Sequence, residues 1–213
     1  MRSGSLALAL AVLALAWLGP LPDLARHSFA AHMTMHMAVV AVAAPLLALA
    51  IAGTTADPVR TVPWLAAPIP ASMIELVIVW SWHVPALHHA ARHHAGAFVL
   101  EQASFAIAGT LLWTAVIGGE REQRRLRAGA GILALLFTSM HMTLLGALFA
   151  LANRTLFEHG AAISGASSLV DQQLGGVTML LVGGASYLIG GLWLTAIALR
   201  SRTVSVARHG SIV

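Results

Sequence analysis

Long apolar stretches alternate with short polar ones along almost the whole chain. Six stand out, at 5–18, 29–52, 69–87, 97–117, 128–152 and 174–199. A helix needs about 20 apolar residues to cross the hydrocarbon core of a bilayer, and these runs reach or approach that length. In lipid every backbone N–H and C=O must be bonded internally, so such runs are expected to be helical. The predicted fold is all-α: a polytopic membrane helix bundle of about six transmembrane helices, forming one integral membrane domain over residues 1–213. Two runs carry a complication. The first is short, and Arg2 followed by Leu6–Leu18, with Ala14-Leu15-Ala16, also has the form of a cleavable signal peptide. Gly19-Pro20-Leu21-Pro22 after it reads as a tight turn into the next helix, which favours a retained span. Pro45 lies inside the second run and is expected to kink it.

Composition agrees with a lipid-embedded chain. Apolar residues make up 58% of the 213 positions and charged residues 9%, against about 25% charged in soluble domains. Mean hydropathy is +0.82. The basic isoelectric point, 11.3, comes from arginine alone, because the chain has no lysine. Those arginines sit between the apolar runs, which marks topology rather than a nucleic-acid surface. With the N-terminus inside, the cytoplasmic segments carry Arg2, Arg60, Arg121, Arg124, Arg125, Arg127, Arg200, Arg202 and Arg208, and the outer ones only Arg26, Arg92 and Arg154. Both termini are therefore expected in the cytoplasm. That orientation gathers His27, His32, His36, His83, His88, His89, His93, His94 and His159 in outer loops or outer halves of spans. His141 falls near mid-depth.

Candidate chemistry concentrates at His32-Met33-Thr34-Met35-His36-Met37. On a helix His32 and His36 share a face one turn apart, with Met33 and Met37 in a parallel stripe. Imidazole and thioether both ligate copper. Polar groups in an apolar span need polar partners or a metal. The chain has no cysteine, so thiolate sites and disulfides are excluded, and a metal must be held by His, Met, carboxylate or backbone. The fifth run adds Met140-His141-Met142, and the sixth adds Asp171 and Met179. Glu101, inside the fourth, needs a partner. Glu75 is read as snorkelling from the cytoplasmic side, and the His88–His94 segment as a solvated loop. The methionines are plausible ligands whose simplest role is packing. No nucleophile elbow, phosphate-binding glycine loop or zinc-protease signature is present, so a binding role fits better than catalysis.

The order of His32-x-x-x-His36-Met37 with Ala44-Pro45-Leu46-Leu47, then Trp82-His83-Val84-Pro85-Ala86-Leu87, then Glu101 with Phe105 and Leu112-Trp113, then Asp171-Gln172-Gln173-x-Gly175-Gly176 with Met179, resembles a known family. It is similar to the multi-span cytochrome c oxidase assembly factors of the CtaG type, associated with caa-type oxidases. The resemblance covers about Arg26 to Leu194. It implies a non-enzymatic role in maturing a haem–copper oxidase in the bacterial cytoplasmic membrane, with the histidine-rich side facing outward. Matching motifs carry over His32, His36, His83, Glu101 and Asp171. His141, Met33, Met37, Met140, Met142 and Met179 are added from the residues themselves. This chain departs from the pattern at Gln102, where a histidine often follows the glutamate, and at His88, where an aromatic is common. The expected cargo is copper, as Cu(I), held by His32 and His36 with His83 or His141 and a methionine, and passed to oxidase subunit I. Asp171 would orient a ligand histidine or line the metal's way in. Haem binding between facing histidines, as in a membrane electron carrier, and metal or proton transport are the alternatives.

Overall fold

The computed structural model describes the backbone of residues 2–157 and 167–209, and the side chains of those residues except 121, 123 and 200–209. His159 lies outside the described residues. All six apolar runs are helical, and no strand occurs among the described residues. The first run is α1 (Arg2–Leu18), followed by the short α2 (Leu21–Ala25). The second comprises α3 (Phe29–Met37), a π-helical turn at Ala38–Ala43, and α4 (Ala44–Ile51). After the single turn α5 (Pro58–Thr61) come α6 (Pro68–Trp82), α7 (Pro85–His93), α8 (Ala95–Ile117) and α9 (Arg121–Ala150). The chain ends with α10 (Ser168–Thr178), a second π turn at Met179–Gly183, and α11 (Gly184–His209).

Four continuous helices are long and apolar enough to cross a membrane: Phe29–Ile51, Ala95–Ile117, Arg124–Ala150 and Ser168–Leu199. A fifth span exists if α6 and α7 count as one, although the chain bends there by 73°. The bend is local chemistry. A residue before proline is pushed out of the helical region, and Val84, before Pro85, is extended at φ −69°, ψ 132°. The first run gives only 17 helical residues, about 25 Å long, against a hydrocarbon core of about 30 Å. By length and composition four to five helices thus qualify as spans, with α1 the shorter apolar helix beside them.

The kink expected at Pro45 takes the form of the π turn just before it. Proline has no N–H, so carbonyls one turn earlier lose their donor. The Ala44 N–H bonds to Val39 O, five residues back, which leaves Val40 O facing Pro45 in the π register. Trp113 Nε1, on α8, donates to Val40 O at 3.3 Å, and Ser186 Oγ, on α11, donates to Ala41 O at 2.7 Å. Trp113 thus supplies the hydrogen bond that Pro45 cannot give Val40 O, as burial in an apolar medium requires, and Ser186 adds a second link from the last span.

Helix α10 packs against α3 and α9, α6 against α8 and α9, and α4 against α1 and α8. Close approach depends on two adjacent glycines. A Cβ on Gly175 would run into the Phe29 ring, and one on Gly176 into the backbone of Gly146 and Ala150. Small residues at such crossings let membrane helices touch backbone to backbone. Glu75, expected to snorkel, is instead fully buried, and Tyr187 Oη donates to its Oε1 at 3.1 Å. Tyr187, on the last helix, covers the carboxylate and gives it a partner inside the bundle. Asp57, also fully buried, accepts from Gly53 N at 2.7 Å, Gly119 N at 2.7 Å and Val59 N at 3.0 Å, so it ties the loop before α5 to the turn between α8 and α9.

Candidate metal centre

Ser28 starts the helix that carries the histidine pair. Its extended backbone and its hydroxyl, which accepts from Ala31 N at 3.1 Å, form an N-cap. Asp171, from α10, accepts from Ser28 Oγ at 2.7 Å and from the Phe29 N–H. A carboxylate at a helix N-terminus satisfies free amides and complements the helix dipole. Asp171 therefore fixes the start of α3, one turn before His32, rather than touching a histidine.

The pair lies side by side as its spacing requires. His32 and His36 are 1% and 2% exposed, and their Nε2 atoms are 2.8 Å apart. Glu101, fully buried on α8, brings Oε1 to 3.3 Å from His32 Nε2 and 3.5 Å from His36 Nε2. Among the described residues these three form the one group of His, Asp or Glu donors close enough to share an ion. Metal–ligand bonds of about 2.1 Å at angles of about 109–120° place neighbouring donors roughly 3.4–3.6 Å apart. Two edges of the triangle are already near that size. The His32–His36 edge, at 2.8 Å, must widen by about 0.6–0.8 Å, a small rotation of either ring.

Gln102 holds the triangle from behind. Its amide nitrogen lies 3.3 Å from His36 Nδ1 and donates to Glu101 Oε2 at 3.2 Å, and its oxygen accepts from Trp17 Nε1 at 3.1 Å. This one side chain links His36, the carboxylate and α1. Its role was not legible in the sequence, where Gln102 stood only as a departure from the family pattern.

His83 stands at the α6–α7 break, with its ring centroid 6.1 Å from that of His36. Its Nδ1 is 2.6 Å from Val79 O. A carbonyl can only accept, so Nδ1 carries the proton and Nε2 keeps its lone pair. That Nε2 is buried and has no hydrogen-bond partner. Metal-binding histidines characteristically hold their second nitrogen on a carbonyl in this way. His83 is thus poised beside the triangle without belonging to it. His88, expected in a solvated loop, lies on α7, 2% exposed, with its ring 4.7 Å from that of His32. Within 85–93 the apolar Leu87, Ala90 and Ala91 recur at i, i+3 and i+4, a helical signal that could have revealed a buried face.

The other expected donors lie elsewhere. His141 is buried against Phe137 on α9, both ring nitrogens without a hydrogen-bond partner, and does not join the triangle. Met140 points outward at 64% exposure, whereas Met142 and Met179 are buried core residues. Met33 and Met37 are buried on the side of α3 facing the last span, Met33 Cγ near Gly175 and Met37 Sδ near Gly183. Their placement is that of packing groups.

The family model for the cytochrome c oxidase caa3 assembly factor (Caa3_CtaG) matches residues 1–201. The chain belongs to this family. No curated protein and no solved structure shows significant similarity to it. Membership agrees with the resemblance read from the motifs, and it makes oxidase assembly the setting of the site. Within that setting the Caa3_CtaG chain offers two imidazoles and one carboxylate on two different spans, backed by the Gln102 amide on the same span as the carboxylate. Such a set suits an imidazole-binding transition metal.

Proposed function

We propose that this Caa3_CtaG protein binds copper as cargo at the His32–His36–Glu101 triangle and releases it to oxidase subunit I during assembly, from the outward side of the bacterial cytoplasmic membrane. The observation that carries the reading is the convergence of three buried donor atoms, within 3.5 Å of one another, inside a lipid-embedded bundle. Two neutral imidazoles and one carboxylate carry a single negative charge, which a Cu(I) ion neutralises, so the loaded site adds no net charge to the membrane interior. His83 Nε2 supplies a fourth ligand if its ring turns toward His36. Its free lone pair supports that role. Haem held between this particular pair is excluded by the geometry. His32 and His36 lie on one helix with their Nε2 atoms 2.8 Å apart, which leaves no room for a porphyrin between them.

The test is metal analysis of the detergent-purified protein beside His32→Ala/His36→Ala, together with oxidase activity in cells carrying each. Loss of both copper and activity is the expected result. Unchanged copper content and unchanged activity in the double variant would refute the reading, and loss of activity without copper ever binding would separate assembly from copper handling.

A further inference from the structure

A cavity of about 350 Å³ opens beside α7 and reaches His32. His93 and His94 lie on its wall together with Arg26 and Arg92. One turn before His93, on the same helix, is His89, and the two rings have their centroids 4.2 Å apart. His89, His93 and His94 are all exposed, whereas His88, adjacent in sequence, is turned inward against His32. A helix bearing imidazoles at i and i+4 presents both to one ion, as His32 and His36 do inside the bundle.

We propose that His89 and His93, with His94 beside them, form a second, exposed metal site that takes the same copper ion and loads the buried triangle through this cavity. The inference rests on the copper reading of the triangle. Three features carry it. The donors are at chelating spacing and open to water. Two of the three line the cavity whose floor is His32. The third concerns charge, since Arg26 and Arg92 on the same wall repel a bare cation. Arg92 Nη2 donates to the Arg26 carbonyl at 2.9 Å, which keeps that positive charge at the mouth. An ion held by imidazoles crosses such a mouth by exchanging ligands, whereas a free ion is turned away. Transfer breaks Cu–N bonds to the outer histidines and forms Cu–N and Cu–O bonds to His32, His36 and Glu101, with no change in oxidation state and no proton lost from neutral imidazoles.

The experiment uses the full-length, untagged protein in detergent, titrated anaerobically with Cu(I) in competition with a coloured chelator. The wild type is expected to bind about two equivalents, and His89→Ala/His93→Ala/His94→Ala and His32→Ala/His36→Ala about one each. The one remaining equivalent in the triple variant is expected to load roughly tenfold or more slowly, because the local supply of metal at the cavity mouth is gone. A triple variant that binds as much copper as the wild type, or loads as fast, overturns the proposal. A triple variant that loses one equivalent while the His32/His36 variant loses none leaves the outer site standing and refutes the triangle. The outer residues are exposed, so their replacement leaves the core intact, and an unchanged unfolding midpoint for the triple variant confirms that.

Discussion

Replacing Gln102 by leucine tests the site through a residue that does not hold the metal. Leucine matches glutamine closely in volume, so packing between α1, α3 and α8 is kept while three polar contacts vanish: those to Trp17 Nε1, Glu101 Oε2 and His36 Nδ1. A metal on His36 Nε2 forces the ring proton onto Nδ1, where it needs an acceptor. Gln102 provides one by turning its amide over, and leucine cannot. Removing such an outer partner of a metal-bound histidine costs about 10–100-fold in affinity, or ~1.4–2.7 kcal/mol. Leaving Trp17 Nε1 without its acceptor costs a further ~1–3 kcal/mol, but in stability rather than affinity. The two effects separate experimentally: Cu(I) affinity by chelator competition reports the first, and an SDS unfolding titration the second. Gln102→His, which restores a ring nitrogen, is expected to recover at least half of the lost binding free energy. A Gln102→Leu protein whose affinity lies within about twofold of wild type would show that the amide plays no part in holding His36.

Three further outcomes are expected. Asp57→Ala leaves the amides of Gly53, Val59 and Gly119 without their acceptor and should lower stability by ~3–5 kcal/mol, with Asn losing about half as much; an SDS or thermal unfolding series checks both. Asp171→Asn should weaken copper binding only as far as it destabilises α3, by ~1–3 kcal/mol in unfolding, since Asp171 bonds Ser28 and the Phe29 amide; an affinity loss larger than the stability loss would return it to the ligand set. Gly176→Val forces α10 away from Gly146 and Ala150, with an expected cost of ~2–4 kcal/mol that an unfolding titration of the purified protein detects.

The helical runs were legible because a hydrocarbon solvent imposes one secondary structure on any long apolar segment. Pro45 was legible as an irregularity, but its form was not, and the break at Val84-Pro85 fell inside a run read as one span. A π turn depends on which side chain from another helix can reach the freed carbonyl, and here that is Trp113. The histidine pair was legible because i, i+4 spacing needs no tertiary knowledge. Glu101 and Gln102 were not assignable in the same way, since their roles follow from which face of α8 meets α3. Nor could spacing show that His141 and Met140 would face away from the site. Each span has its own angular setting, and similar depth in the membrane does not make two residues neighbours. Glu75 failed as an expectation for a related reason, because distance from a helix end is no measure of exposure inside a bundle.

The hydrogen bonds that cross between spans set an order on biogenesis. The second apolar run leaves the ribosome with a carbonyl at Val40 that its own proline cannot satisfy; its donor arrives with Trp113, and the bond from Ser186 to Ala41 O forms last. Asp171, which anchors the other end of the same helix, also arrives late. A nascent chain therefore carries its paired histidines for most of its synthesis in a segment neither end of which is yet secured. The start of the helix that carries His32 and His36 is thus fixed only once the helix bearing Asp171 has docked.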